Sequence, residues 1–376
     1  MAKPKAMRFL FLDQMIINIL LKQERPSGGA AVQSYGWAKG LSENGHDVYI
    51  MTNLNHEGRL KEEAYELNLI PFYDESRGIR WLRWIYYRFP HLYKKIKVTR
   101  PDYLYQSVPG WTCFLIGIIC KRLRVKYILR ISNDFFLDDR FQRAHSYIHR
   151  FFMRRGMEMT DFILCQNEYQ FGILQQQYPG KNVYKISNPI LFQNNKSTPS
   201  PLSERKYIAW LGIFQYQKNL KLLYETAIKL EDEQFWIAGK ESSKLDDSTR
   251  LYLKKLKVLP NVTFKGFIER HEVPDFLKNA KYLLNTSHYE GFSNTFLEAM
   301  TVGTPILSTE KVNPDGIIDS CQLGIIYKDA HNLASLLNGV SPSKYKLMSD
   351  NVIQYVTENH NYKILAEKLT GILNAS

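Results

Sequence analysis

Short apolar runs alternate with amphipathic stretches along the whole chain. Residues 8–13, 48–51, 127–130, 161–165 and 183–187 in the first half, and 207–211, 235–238, 262–268, 281–285 and 305–308 in the second, are runs too short and too continuous for surface helices. They predict buried parallel strands. Helical spacing predicts helices over 30–44, 220–230, 274–278, 345–357 and 363–373. In the first of these, Ala31, Tyr35, Ala38 and Leu41 share one face and Gly45 closes the helix. Strands alternating with helices predict an α/β fold. Repeated in both halves, the pattern predicts two Rossmann-like domains facing a cleft, over 1–190 and 191–355, with a final helical segment over 356–376. The stretch 192–203, rich in Asn, Ser and Pro, reads as the linker.

Composition narrows the class. A chain of 376 residues suits two domains. Its longest apolar run, 111–120, is about half of what a membrane span needs. The first residues, Met1-Ala-Lys-Pro-Lys-Ala6, carry no signal-peptide pattern. Cys113, Cys120, Cys165 and Cys321 are scattered and read as reduced thiols of a cytoplasmic protein. The net charge of +13 is uneven: residues 1–190 hold 28 Lys/Arg against 17 Asp/Glu, residues 191–376 hold 22 against 20. An anionic partner for the first half follows. No helix-turn-helix, zinc-finger or RNA-recognition pattern is present, so nucleic acid is disfavoured. Over 77–100, Trp81, Trp84, Tyr86, Tyr87, Phe89 and Tyr93 are interleaved with eight Lys/Arg, which suits the anionic inner face of a membrane; an amphipathic helix packing its rings inward is the alternative. The basic cluster at 121–126 either extends that face or is a solvated helix end.

Candidate chemistry gathers at the loops after the predicted strands, where open parallel sheets bind ligands. After the strand at 281–285, Glu290 and Gly291 lie in a polar loop. Phe292 follows, and Ser293, Asn294 and Thr295 are good caps for a short helix carrying Glu298 in its first turn. The unpaired N–H groups of such a helix start are a seat for phosphate. Glu290 and Glu298, eight apart, are placed to hold a ligand from two ends, one on sugar hydroxyls and the other on a ribose; the bland alternative is a helix-stabilising carboxylate and a solvated loop charge. Lys218 ends a loop led by Gly212 and precedes a helix, a position suited to a diphosphate; an exposed lysine is the alternative. Gly28 and Gly29 open a loop where the backbone can approach a ligand, or form a plain turn. They do not make the G-x-G-x-x-G dinucleotide pattern. Asn133 and Asp134 follow the strand at 127–130. Asp134 either orients or deprotonates an acceptor hydroxyl, or caps the next loop. Asp138-Asp139-Arg140 reads as a loop or helix start rather than a metal site, and no metal is expected.

The cassette from Ser287 to Ser308 resembles the Glu-x7-Glu signature of the retaining GT-B glycosyltransferases of family 4, and Asn313-Pro314-Asp315-Gly316 is similar to a branch serving capsular and exopolysaccharide assembly. The resemblance implies a nucleoside diphosphate sugar, UDP- or GDP-linked, as donor, a glycan or lipid-linked glycan as acceptor, and no metal cofactor. It implies that Gly28-Gly29-Ala30 faces the donor diphosphate and acceptor, and that Glu290 holds donor sugar hydroxyls and Glu298 the ribose. It also implies that the turn at Gly266-Phe267 lines the base, and that the last helix returns to the first domain. Two positions depart from the pattern. Asn133 stands where many members have His, and Ile213 where they have a phosphate-binding Arg; Lys240 is a candidate substitute cation. A nucleotide-sugar epimerase of the same architecture, or a non-catalytic membrane-bound partner of an assembly complex, are the rival expectations.

Overall fold

The computed structural model describes residues 6–25, 27–53, 58–79, 82–192 and 199–375. The chain forms two compact units, Met1–Leu191 with Tyr362–Ser376, and Phe192–Asn361. Among the described residues, the first unit carries a seven-stranded parallel sheet: β1 (Arg8–Leu12), β2 (Asp47–Thr52), β3 (Asn68–Pro71), β4 (Tyr103–Gln106), β5 (Lys126–Arg130), β6 (Phe162–Cys165) and β7 (Asn182–Lys185), in the order β3-β2-β1-β4-β5-β6-β7. The second carries six parallel strands: β8 (Tyr207–Leu211), β9 (Phe235–Ala238), β10 (Val262–Gly266), β11 (Ala280–Leu284), β12 (Ile306–Thr309) and β13 (Gly324–Tyr327), ordered β10-β9-β8-β11-β12-β13. Three strands, β3, β4 and β13, have no counterpart among the predicted runs. Each is four residues long, and β3 ends on a proline, so the local signal is weak.

Strand alternation separates two cores in the first unit. Phe9, Phe11, Tyr105 and Ile128 point to a layer made by the Gly28–Glu43 helix and the C-terminal Tyr362–Asn374 helix. Leu10, Leu104 and Tyr127 point to the opposite layer. That layer holds the helices Phe89–Thr99 and Thr112–Leu123, with Tyr147–Glu158 and Glu168–Gln177 continuing it over β5 and β6. Right-handed crossovers dictate this division: the chain moves one way across the sheet from β1 to β2 and the other way from β3 through β7.

The C-terminal helix lies close on the Gly28–Glu43 helix. A Cβ on Gly40 would stand 2.5 Å from the Tyr362 carbonyl oxygen. The Tyr362 hydroxyl and the Lys363 ammonium reach Glu43 at 2.8 and 2.7 Å. The expected boundary at 355/356 is corrected: it falls inside the continuous Pro342–His360 helix, whose Val352 and Val356 are buried, and the chain changes unit at 361/362. Residues 193–198 of the expected linker lie outside the described residues, and Leu202–Glu204 forms a short turn.

The stretch 77–100 divides into two roles, and Arg80 and Trp81 lie outside the described residues. Trp84 packs against Tyr73 and Trp111 at ring distances of 5.5 and 4.6 Å, and Arg88 is buried over Tyr73 and Trp84. The Tyr87 hydroxyl accepts from the Asp74 N–H, and Phe89 and Tyr93 pack on the core. Tyr86 is exposed, together with the aliphatic Ile79, Leu82, Ile85 and Val98. Most of these rings therefore serve packing, and the exposed apolar surface is mainly aliphatic.

Candidate active site

In the second unit the chain runs from β8 outward through β9 to β10 in one direction and from β11 through β12 to β13 in the other. The switch in direction lies between β8 and β11, which pair at the centre of the sheet. Crevices at such switch points, beyond the carboxyl ends of the strands, are where open α/β sheets bind ligands. The loops after β8 and β11 flank this one.

These two loops are laced together. The His288 N–H donates to the Gln217 carbonyl (2.8 Å), and Gln217 Nε2 donates to the Tyr289 carbonyl (2.9 Å). The Thr286 hydroxyl donates to the Lys218 carbonyl (2.7 Å) and accepts from Trp210 Nε1 (3.1 Å). Asn219 takes a left-handed conformation, φ +47°, and its side chain caps the Leu220–Lys229 helix. This lacing aims the Lys218 side chain at Glu290, and the two form a largely buried ion pair; Glu290 also accepts from the Ser287 hydroxyl at 3.2 Å. Lys218 and Glu290, 72 residues apart, are thus one ion pair.

Three glycines open the carboxyl edge. The Gly212 N–H donates to the Ala238 carbonyl (3.1 Å) and the Gly239 N–H to the Gly266 carbonyl (2.7 Å). A Cβ on Gly239, whose φ is +151°, would lie 1.8 Å from the Gly212 oxygen. One on Gly212 would lie 3.2 Å from Lys218 Cε, so the lysine stem crosses the bare glycine. Lys240 is exposed beside this loop, and its carbonyl accepts from the Phe214 N–H (2.8 Å). Phe267 follows Gly266 and is 45% exposed, a ring placed for stacking.

The Asn294–Thr301 helix follows Ser293, one of the three expected caps, whose side chain makes no capping hydrogen bond, and buries Phe296, Leu297 and Met300. Glu298 is its fifth residue, which corrects the expected first-turn position: the helix begins one residue after the cap and Glu298 falls on the second turn. Its carboxylate is paired with Arg270 Nη2 at 2.8 Å. Arg270, in the loop after β10, is a residue the sequence reading missed; only the fold brings it to Glu298, 28 positions away. The Ser293 and Thr295 hydroxyls bond each other at 2.9 Å, and the Phe292 ring lies 5.0 Å from His360. The Pro314–Gly316 turn, with Asp315 at φ +52°, follows β12 on the same edge.

The first unit has its own switch point, between β1 and β4. Asp13, at the end of β1, is buried there and accepts from the Met15 N–H (2.9 Å) and the Ser107 hydroxyl (3.4 Å); burial raises its pKa above the usual carboxylate range. Gly28 has φ +75° and Gly29 is exposed, at the start of the Gly28–Glu43 helix. Asn133 caps the turn after β5 by accepting from the Phe135 N–H (2.9 Å). Asp134 accepts from Gln170 Nε2 (2.7 Å) and Asn167 Nδ2 (3.2 Å), and burial raises its pKa. Asp138 caps the Asp139–Ala144 helix, as its sequence context suggests.

Residues 27–191 match the family described as Glycosyltransferase Family 4, and residues 192–342 match Glycosyl transferases group 1. The chain belongs to glycosyltransferase family 4. This family 4 glycosyltransferase is 21% identical over 329 residues to the alpha-monoglucosyldiacylglycerol synthase of Streptococcus pneumoniae, an alignment covering 79% of this chain and 71% of the relative. Its fold is similar to that of Anabaena HepE in complex with UDP and glucose, with a TM-score of 0.74 at 15% identity over 98% of this chain and 100% of that one. It is also similar to sucrose-phosphate synthase from Thermosynechococcus elongatus, with a TM-score of 0.73 at 14% identity over 98% of each chain. Two Rossmann-like parallel-sheet domains of the GT-B type are what these structures share with it.

Proposed function

We propose that this glycosyltransferase moves a sugar from a UDP- or GDP-sugar to a hydroxyl of a glycan or lipid-linked glycan, with retained configuration and without a bound metal, at the cytoplasmic face of the membrane and in the assembly of a cell-surface polysaccharide. The observation that carries this reading is the Lys218–Glu290 pair at the switch point of the second unit, beside the helix that bears Glu298. An arriving diphosphate competes with Glu290 for the Lys218 ammonium. Once released, the Glu290 carboxylate accepts hydrogen bonds from the donor sugar. Lys218 and the N–H groups around Ser293, Asn294 and Thr295 then stabilise the charge that grows on the leaving diphosphate, where such contacts are most effective. Glu298, steadied by Arg270, accepts from the ribose; Phe267 covers the base; Lys240 and Gly212 border the phosphates. Gly28 and Gly29 let the backbone approach donor and acceptor, and Asp134 orients the acceptor hydroxyl beside Asn133. The UDP and glucose of the Anabaena protein and the lipid in the pneumococcal synthase's name favour the donor and acceptor classes.

The test is a thermal-shift panel of UDP, GDP, ADP and CMP with the corresponding sugars, on the wild type and Glu298→Ala. Ligand at a hundred times its Kd adds about 2.7 kcal/mol. Stabilisation of the wild type by one diphosphate class, weakened in the variant, is the expected result; no response to any nucleotide sinks the donor-site reading. Nucleoside diphosphate release that requires added glycan, and persists in EDTA, separates transfer from epimerisation and from metal-dependent chemistry.

A further inference from the structure

Beyond the stretch 77–100, the largest exposed apolar side chains of the first unit include three on another helix. On Tyr147–Glu158, Tyr147 is 72% exposed, Ile148 67% and Phe151 42%. A soluble helix facing water has no use for such a cluster. The helix does have a buried side. Met153, Gly156 and Met157 turn inward. Gly156 meets the Thr112–Leu123 helix so closely that a Cβ would stand 2.4 Å from the Phe114 nitrogen. Gly117 on that helix meets Met159 in the same way, at 2.7 Å. Two glycines thus press the helices together and fix the orientation of the exposed ridge.

A chain of ring contacts links the ridge to Trp84, the neighbour in sequence of the exposed Ile85 and Tyr86. Trp84 touches Trp111 at 4.6 Å; Phe114, one turn on, touches Phe152 at 5.1 Å; Phe152 touches Phe151 at 5.5 Å, and Phe151 stacks with Tyr147 at 6.5 Å. Phe114, Leu115 and Ile118 are half-buried between the two ends. All three segments lie on the sheet face opposite the Gly28–Glu43 helix, as the crossovers require. Charge follows the same band. Residues 77–100 carry eight Lys/Arg, of which Arg88 is buried, residues 111–126 four and residues 140–157 five, and none of these stretches contains an Asp or Glu. Glu158, just beyond, meets Arg154 and Arg155.

We propose that these three segments form one docking surface for an anionic lipid bilayer, in which Tyr147, Ile148 and Phe151 insert alongside Ile79, Leu82, Ile85 and Tyr86 while the surrounding Arg and Lys side chains bind lipid phosphates. Exposed apolar side chains among an excess of cations are the complement of an anionic interface. The surface extends the membrane reading above to a helix outside 77–100, and its test does not depend on catalysis.

The experiment is co-sedimentation of the full chain with vesicles of phosphatidylcholine alone and of phosphatidylcholine with 40% phosphatidylglycerol, a fraction of about two in five chosen to give a strongly negative surface. The proteins are the wild type, Ile148→Glu/Phe151→Glu and Ile79→Glu/Ile85→Glu. Because these side chains are exposed, both double variants should keep the wild-type Tm and the wild-type response to UDP. The expected result is wild-type binding to the anionic vesicles alone, weakened by salt, and a loss of at least about tenfold in each double variant, in line with the cost of placing a charge in an apolar interface. Undiminished binding by Ile148→Glu/Phe151→Glu removes the Tyr147–Glu158 helix from the surface and overturns the proposal. Equal binding to neutral vesicles, or no binding by the wild type, also overturns it. So does a concentration-dependent dimer that the Ile148→Glu/Phe151→Glu variant abolishes, since the ridge would then be a self-association face.

Discussion

Lys218 is held at both ends: its carbonyl accepts from Thr286 and its ammonium meets Glu290, while its stem lies across Gly212. A diphosphate that displaces Glu290 therefore meets an ammonium already in position, the condition under which electrostatic stabilisation is most effective. We expect Lys218→Gln to lower kcat by at least about 100-fold, the loss usual for one such donor, and to lower Tm as well, because the largely buried Glu290 carboxylate loses its cation; steady-state kinetics with the identified donor and a thermal melt measure the two. Gly212→Ala should lower kcat less, because the added methyl 3.2 Å from Cε displaces the ammonium without removing it. Asp134 supplies a prediction in pH. Burial raises its pKa, so the folded chain binds a proton more readily than the unfolded one between the ordinary Asp value and the raised value. Wild-type stability relative to Asp134→Asn should therefore grow as pH falls from neutral through that window and shrink as pH rises. Asn167 and Gln170 both donate to one oxygen of Asp134, which the Asn Oδ1 replaces, so the variant should fold. Paired urea titrations at several pH values give the difference, and a gap independent of pH contradicts the reading of Asp134 as a buried, strained carboxylate.

Elements were legible in the sequence where burial is complete and local. β8 and β9 coincide with their predicted runs, because residues such as Tyr207, Ile208, Ala209, Trp210, Phe235 and Ile237 are buried in continuous stretches. β3 and β4 escaped: Asn68-Leu-Ile-Pro71 is an edge strand with exposed ends, and Tyr103-Leu-Tyr-Gln106 mixes polar and apolar character. The cassette around Glu290 was legible because its residue types follow one another in the chain. Arg270 beside Glu298, and the division of residues 77–100 into packed rings and exposed aliphatics, were not, because both depend on partners from distant strands. The return of the last helix shows how one such partner acts. Gly40 leaves no room between the Gly28–Glu43 and Tyr362–Asn374 helices, and Leu365, Ala366, Leu369 and Leu373 fill the groove beside it. Gly40→Ala gains helix propensity, about 1 kcal/mol for Gly to Ala in a helix interior, but drives a methyl into the Tyr362 backbone. Overpacking of this kind costs about 1–3 kcal/mol. The clash is with main chain that cannot rotate away, so we expect the cost to win and Tm to fall by roughly 2–4 °C for each net kcal/mol lost. An unchanged or higher Tm means the two helices separate more easily than their contact implies.

At the scale of the molecule, the two units have separate cores and separate chemical characters. The first half carries 28 Lys/Arg against 17 Asp/Glu, the second 22 against 20, and the laced loops with the Lys218–Glu290 pair belong to the second. A chain of two such units is not expected to unfold as a single two-state body, so a ligand that binds mainly one of them should protect that one most. Hydrogen exchange followed by mass spectrometry resolves this without cutting the chain. With saturating UDP we expect exchange to slow in peptides covering 212–219 and 285–298, where N–H groups of the two loops and of the Asn294–Thr301 helix start gain an anion. Protection should be smaller in β1 to β7. Anionic vesicles should produce the reverse pattern, protecting 82–99 and 147–158 and leaving 212–219 unchanged. The two patterns test different surfaces, so each can fail alone. UDP protection centred on the Gly28–Glu43 helix would move the donor to the first unit and leave Lys218 and Glu290 as a structural ion pair. Vesicle protection confined to the second unit would contradict the basic apolar ridge as the docking surface, whatever the nucleotide result.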